Sequence, residues 1–179
     1  MCNYTWIFNV LRTIILRYLQ TFKHSFVINC DIDRVWEFYT DIKHLEIISP
    51  KEIELKITNA TSKKLAQGSE IWLEGKIIVM LFKRSRWHSK ITAYSVSPQQ
   101  YLYVDEMLTG PFKKWRHLHK FYGVDNNNNQ KQTLVIDEIH FELPYGIIGK
   151  LFDGYVYRRL EKIFCNRRLA TISALENTT

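Results

Sequence analysis

From Phe112 to Tyr122, directly after Gly110-Pro111, polar and apolar side chains alternate, the period-2 signature of a strand. One face carries Trp115, His117, His119 and Phe121; the other carries Lys114, Arg116, Leu118, Lys120 and Tyr122. Two imidazoles between a Trp and a Phe are too aromatic for water and too polar for a plain core. Such a face suits the wall of a ligand cavity, where apolar lining comes with a few fixed polar groups. Strand patterns also run over 22–30, 52–59, 69–80, 84–95, 100–108, 113–123 and 132–143. Turn signals at Gln67-Gly68, Ser97-Pro98, Thr109-Gly110-Pro111 and the asparagine run after Asp125 separate them, so an antiparallel meander is expected.

Helical signals bracket the strands. Asp31 or Asp33 offers an N-cap to a helix over 34–39. A second turn over 42–48 stops at Ser49-Pro50, because proline disfavours helix in the residue before it. After Pro144-Tyr145-Gly146 a long helix is predicted over 147–175, with Leu151, Phe152, Tyr155, Val156, Leu160, Ile163 and Phe164 as its buried stripe. Lys150, Arg158, Arg159, Lys162, Arg167 and Arg168 are assigned mostly to the opposite side. The expected fold is α+β: a curved antiparallel sheet wrapped around the long C-terminal helix, with two short helices after the first strand.

The first twenty residues read differently. Thr5, Asn9, Arg12, Thr13, Arg17 and Gln20 interrupt an apolar segment every three or four positions and so share one helical face. The apolar run is too short to span a bilayer and lacks the layout of a secretory signal. Residues 1–20 are therefore read as an amphipathic extension able to lie in a membrane interface, and 21–176 as the domain.

Composition narrows the class. With 46% hydrophobic and 14% aromatic residues in 179, the chain folds around a real core. The formal charge of +7 permits attraction to phosphates or anionic lipid without choosing between them. Cys2, Cys30 and Cys165 are too scattered for a disulfide framework or zinc knuckle, so buried inert thiols in a reducing compartment are expected.

Several motifs together resemble the ligand-binding branch of the SRPBCC superfamily, the START-like, helix-grip proteins that include polyketide cyclase/dehydrase and lipid-transport types. They are Asp31-Ile32-Asp33-Arg34-Val35-Trp36-Glu37-Phe38, then Tyr103-Val104-Asp105-Glu106-Met107-Leu108-Thr109-Gly110-Pro111-Phe112 with Trp115, His117, His119 and Phe121, then Thr133 to Glu138 and Glu142-Leu143-Pro144-Tyr145-Gly146. The resemblance covers about 22–174. It implies a cavity between the sheet and the last helix that holds lipids, quinones, polyketides or other apolar molecules. Met107 stands where the family often has a glutamine, which makes the wall greasier there.

Strand parity selects the candidate residues. Thr133, Val135, Asp137, Ile139 and Phe141 share a face, and a hairpin turning near Asn127 sets Asp137 across from His117 or His119. The expected ligand-binding set is Trp36, Trp87, Tyr103, Asp105, Met107, Trp115, His117, His119, Phe121, Asp137, Ile139 and Phe141, with Phe152, Tyr155 and Val156 on the closing helix. Asp105 joins only if its strand has the matching parity. No cofactor is expected. His117 and His119 at i, i+2 can share a metal, with Asp137 or Asp105 as the candidate third ligand, but no further spacing supports a complete site, so no metal is expected either.

The function expected is binding, transport or sensing of a hydrophobic or amphipathic small molecule by a cytoplasmic, non-enzymatic protein. Two alternatives stand beside it. One is a cyclase- or dehydratase-type enzyme using His117 and Asp137. The other is a lipid-binding protein peripheral to the inner face of the membrane, held to anionic lipid by residues 1–20 and the basic surface. Lys113, Lys114, Arg116 and Lys120 with Lys83, Arg84 and Arg86 interleave with aromatic residues as in single-strand nucleic-acid binders. Nucleic acid is nevertheless not expected as a partner, because the lysines fall on the strand face opposite Trp115.

Overall fold

A computed structural model describes residues 19–76, 84–125 and 131–176. The alternating segments become seven strands: β1 Gln20–Ile28, β2 Lys56–Ala60, β3 Glu70–Lys76, β4 Arg84–Val96, β5 Tyr101–Thr109, β6 Lys114–Asp125 and β7 Lys131–Glu142. They form one antiparallel sheet in the order β1-β7-β6-β5-β4-β3-β2. The meander of β2 to β7 is thus completed by the first strand, which lies against the last.

Helix α1, Ile32–Thr40, starts at Asp31, whose side chain accepts from the Asp33 N–H at 2.9 Å. Asp31 is therefore the cap, and Asp33 sits in the first turn where a negative charge favours the helix dipole. Helix α2 covers Lys43–Ile48 and ends at Ser49 ahead of Pro50. The strand expected from residue 52 begins later: Lys51–Ile53 is a 3-10 turn and Glu54 is left-handed at φ 49°. The turn packs closely on β3, where a Cβ added at Gly75 would meet the Ile53 carbonyl at 3.0 Å.

The C-terminal helix is also interrupted. A short turn, α3 Ile147–Lys150, precedes α4, Asp153–Glu176. Between them the Leu151 and Phe152 N–H groups bond three residues back, to Ile148 and Gly149, which tightens the chain into a 3-10 form. A Cβ on Gly149 would lie 2.1 Å from the Pro144 carbonyl, so only glycine fits this close approach.

The buried stripe of α4 is Val156, Leu160, Phe164, Arg167, Thr171 and Leu175. Leu151, Phe152 and Tyr155, expected in that stripe, are exposed instead. Arg167, expected on the solvent side, is buried within the stripe. Cys30 is buried as expected, whereas Cys165 is exposed.

Two apolar clusters fill the grip. One packs Trp36 of α1 on Tyr94, Tyr101 and Phe121, with ring centroids 5.0–5.5 Å apart. The other packs α4 through Val156, Leu160 and Phe164 on Phe22, Ile139 and Phe141. Each fully buried Phe contributes roughly 1.5–3 kcal/mol over its exposed state. The outer face of the sheet carries cross-strand ion pairs such as Arg116–Glu106 at 2.9 Å and Lys120–Glu138 at 3.0 Å. The basic residues of β6 thus stand beside glutamates. The segments 1–18, 77–83 and 126–130 lie outside the described residues. They include nearly all of the predicted amphipathic extension, the end of the strand predicted over 69–80 and the asparagine run.

Candidate functional site

Strand register builds the site. Across β1, β7, β6 and β5 one row reads His24, Asp137, His119, Tyr103, and the next reads Phe22, Ile139, His117, Asp105. The matching parity left open for Asp105 is therefore present. Two carboxylates and two imidazoles meet on the concave face, where His117, His119 and Asp137 are each less than 5% exposed.

The bonding crosses the register. His117 Nε2 lies 2.9 Å from Asp137 Oδ1, and His119 Nε2 lies 2.9 Å from Asp105 Oδ2. The remaining ring nitrogens also face carboxylates: His117 Nδ1 is 3.5 Å from Asp105 Oδ2, and His119 Nδ1 is 3.1 Å from Asp137 Oδ1. The last contact is off the hydrogen-bond line, so His119 Nδ1 is buried without a hydrogen bond, as is Asp137 Oδ2. The two imidazole centroids are 3.6 Å apart, and Tyr103 stacks on His119 at 4.1 Å.

Helix α4 completes the group. The Arg167 guanidinium lies 5.2 Å over the Tyr39 ring and 5.6 Å from the Phe164 ring, within reach of a cation–π attraction. Its Nε is buried without a hydrogen-bond partner. Tyr39 Oη is 3.1 Å from Thr171 Oγ1, which ties α1 to α4.

These charges set one another. Burial alone would raise the Asp137 carboxyl, but Arg167 and the two imidazoles hold it well below the carboxylate range. For Asp105, burial is likewise outweighed by the His119 hydrogen bond and the neighbouring cationic groups, and its pKa is lowered. Desolvation, followed by His119, pushes His117 down to about 4 in spite of both carboxylates. Burial would lower Arg167, but Asp137 and the tyrosines raise it further above its ordinary value. Burial pushes Tyr103 well above the phenol range.

A cavity of about 200 Å³ opens beside the group. Its apolar walls come from α1, α2, β3, β4 and α4, through residues such as Phe38, Ile48, Leu73, Ile91 and Phe164. Of the expected set, Trp87, Tyr103, Asp105, Met107, Trp115, His117 and His119 line it. Asp137 does not, being fully buried behind the imidazoles. Trp36, Phe121, Ile139, Phe141 and Val156, expected on the wall, are packed within the two apolar clusters and do not line the cavity. Phe152 and Tyr155, expected to close the cavity, are exposed around the start of α4 and do not line it.

Sequence reasoning missed Arg167, His24 and Tyr39. For Arg167 a signal was available. The series Leu160, Phe164, Arg167, Thr171, Leu175 recurs at helical spacings of four, three, four and four, so the arginine sits in the middle of an otherwise buried stripe.

No family model and no curated protein matches the chain. Solved structures do. A protein from Thermus thermophilus aligns at TM-score 0.56 and 15% identity over 87% of this chain and 99% of its own. Norcoclaurine synthase from Thalictrum flavum, in complex with dopamine and hydroxybenzaldehyde, aligns at TM-score 0.60 and 12% identity over 90% and 89%. A START superfamily protein from Mycobacterium smegmatis aligns at TM-score 0.59 and 12% identity over 89% and 99%. The chain has the helix-grip fold of the START-like proteins, as the sequence motifs implied.

Proposed function

We propose that the chain binds a compact, largely apolar small molecule in this cavity and acts as a carrier or sensor. The observation that carries the reading is an apolar hollow ending in a buried ionisable group, with Asp105, His117, His119 and Arg167 all on its wall. Such a site takes an amphipathic ligand whose ring or chain fills the hollow and whose polar end meets the charged group. Size narrows the ligand class. The roughly 300–1,000 Å³ of ordinary ligand pockets exceeds this cavity, whereas an apolar space of about 150 Å³ holds a benzene-sized molecule. A one- or two-ring ligand fits; a long acyl chain or extended polyketide requires the walls to part.

The test is native mass spectrometry of protein purified from its own source, with extraction and identification of any retained molecule. Retention of a small aromatic or alicyclic compound supports the reading. A chain that retains nothing, and whose Trp87 and Trp115 fluorescence is unchanged by any apolar probe, overturns it. The cyclase or dehydratase alternative is separated by substituting His117. Turnover lost with affinity kept assigns catalysis, and because Asp137 lies behind the imidazole it would act by orienting His117.

A second reading, peripheral membrane contact, rests on a different observation. Tyr145, Ile148, Leu151, Phe152 and Tyr155 are all exposed around the start of α4, a concentration of apolar surface that monomers rarely leave bare. Among the described residues no helix is long and apolar enough to cross a membrane. Sedimentation with anionic liposomes tests the contact: Leu151→Glu with Phe152→Glu abolishes it if this patch inserts, and removal of residues 1–18 abolishes it if the extension does.

A further inference from the structure

We propose that Asp105, His117 and His119 form a binding site for one divalent transition-metal ion of the zinc or iron(II) class. Of the two candidate third ligands, Asp137 and Asp105, it is Asp105 on the adjacent strand whose carboxylate joins the two imidazoles. The metal-capable atoms of the three residues lie within 4.8 Å of one another. Asp105 Oδ2 is 2.9 Å from His119 Nε2 and 3.5 Å from His117 Nδ1. Ligands bonded at about 2.0–2.2 Å to a tetrahedral ion stand roughly 3.4 Å apart, so the 3.5 Å edge already has that length and the 2.9 Å edge, now a hydrogen bond, has to open slightly as the ion replaces the proton. A modest rotation of the imidazoles closes the third.

Asp137 supplies what such a site needs behind its ligands. Its Oδ1 faces the other nitrogen of each ring, His117 Nε2 at 2.9 Å and His119 Nδ1 at 3.1 Å. Metal-bound histidines generally give their second N–H to a carboxylate in this position, which fixes the tautomer and turns the lone pair to the metal. With both N–H groups on Asp137, the two lone pairs and the Asp105 oxygen converge on one point. Asp105 and Asp137 together outnumber Arg167 in formal charge, so the group attracts a cation.

The open side of the site faces the cavity, since all three ligands line it and Asp137 does not. Three protein ligands with a free position describe an exchangeable site of the kind found in catalytic zinc and two-histidine-one-carboxylate iron centres, not a closed structural one.

Titration of the metal-stripped full chain with Co2+, followed by its visible bands and by Zn2+ competition, tests the proposal. One ion per chain is expected, displaced by Zn2+. Asp105→Asn and His119→Gln are each expected to weaken binding at least 100-fold. Asp137→Asn is expected to weaken it about 10–100-fold, and His140→Gln on the outer sheet face to leave it unchanged. Should a variant fail to fold, nitrogen NMR of the parent chain decides, with the His117 and His119 ring signals moving together on addition of Zn2+. No binding at millimolar metal, or affinity indifferent to both Asp105→Asn and His119→Gln, overturns the site. Apolar-ligand binding measured in chelator is independent of these outcomes.

Discussion

Asp105 stands opposite His117 in the strand register, yet its 2.9 Å contact is to His119, one step along the same face. Asp137 mirrors it, opposite His119 but bonded at 2.9 Å to His117. Both short bonds are diagonal, a reach that neighbouring same-face side chains of a sheet allow. Each carboxylate therefore holds both imidazoles, and the four side chains behave as one unit.

Removing one member leaves the rest buried and unbalanced. Asp137→Ala is expected to cost about 3–5 kcal/mol, the usual penalty for stripping one partner from a buried charged group. The midpoint of urea unfolding measures it. A loss below about 1 kcal/mol would show that water already screens Arg167 and the histidines.

Acid sensitivity follows from His117. Its pKa is held down to about 4 from 6.5 in the folded chain, so between those values the unfolded chain binds a proton that the folded chain refuses. Stability is full above pH 6.5 and falls toward pH 4, by at most about 1.4 kcal/mol per pH unit for this group. His24, also lowered by burial, acts in the same direction. Asp105 and Asp137, lowered in the fold, add stability above their ordinary pKa that is lost in stronger acid. Unfolding at pH 7.5, 5.5 and 4.5 in chelator checks the slope, which His117→Gln is expected to flatten but not abolish.

Filling the hollow separates binding from folding. Leu73 is buried on the cavity wall, and Leu73→Phe places its extra atoms in the empty space. Stability is expected to stay within about 1 kcal/mol of the parent or to rise, while apolar-probe binding is lost. Retained binding would place the ligand elsewhere.

The turn before β6 is sterically closed. A Cβ on Gly110 would lie 2.3 Å from Met107 Sδ and 2.7 Å from the Trp87 Cβ. The thioether can swing away but the Trp87 Cβ is held by its backbone. Gly110→Ala is therefore expected to cost about 1–3 kcal/mol, and adding Met107→Ala to recover only part of it. Thermal unfolding of the two variants gives the comparison.

Alternation along the chain was enough to place most of the strands, the antiparallel meander and the shared face of Trp115, His117, His119 and Phe121, because side-chain direction in a strand depends only on position parity; the late start of β2 and the pairing of β1 with β7 were not legible in it. The hairpin turning near Asn127 likewise set Asp137 across from His117 or His119, and the register pairs it with His119. Three things required the tertiary structure. Asp105 joined the group because the register of β5 on β6 decides which residues meet, and no local pattern encodes that register. Arg167 lies at stripe spacing in the sequence, but only the assembled fold shows the buried Asp137 whose charge favours a cation there. The cavity took its modest size because Trp36, Phe121, Ile139, Phe141 and Val156 are taken up by packing within the two clusters instead of lining its wall. Whether an inward aromatic residue lines a space or fills it depends on what stands across from it, and that is a property of the assembled layers.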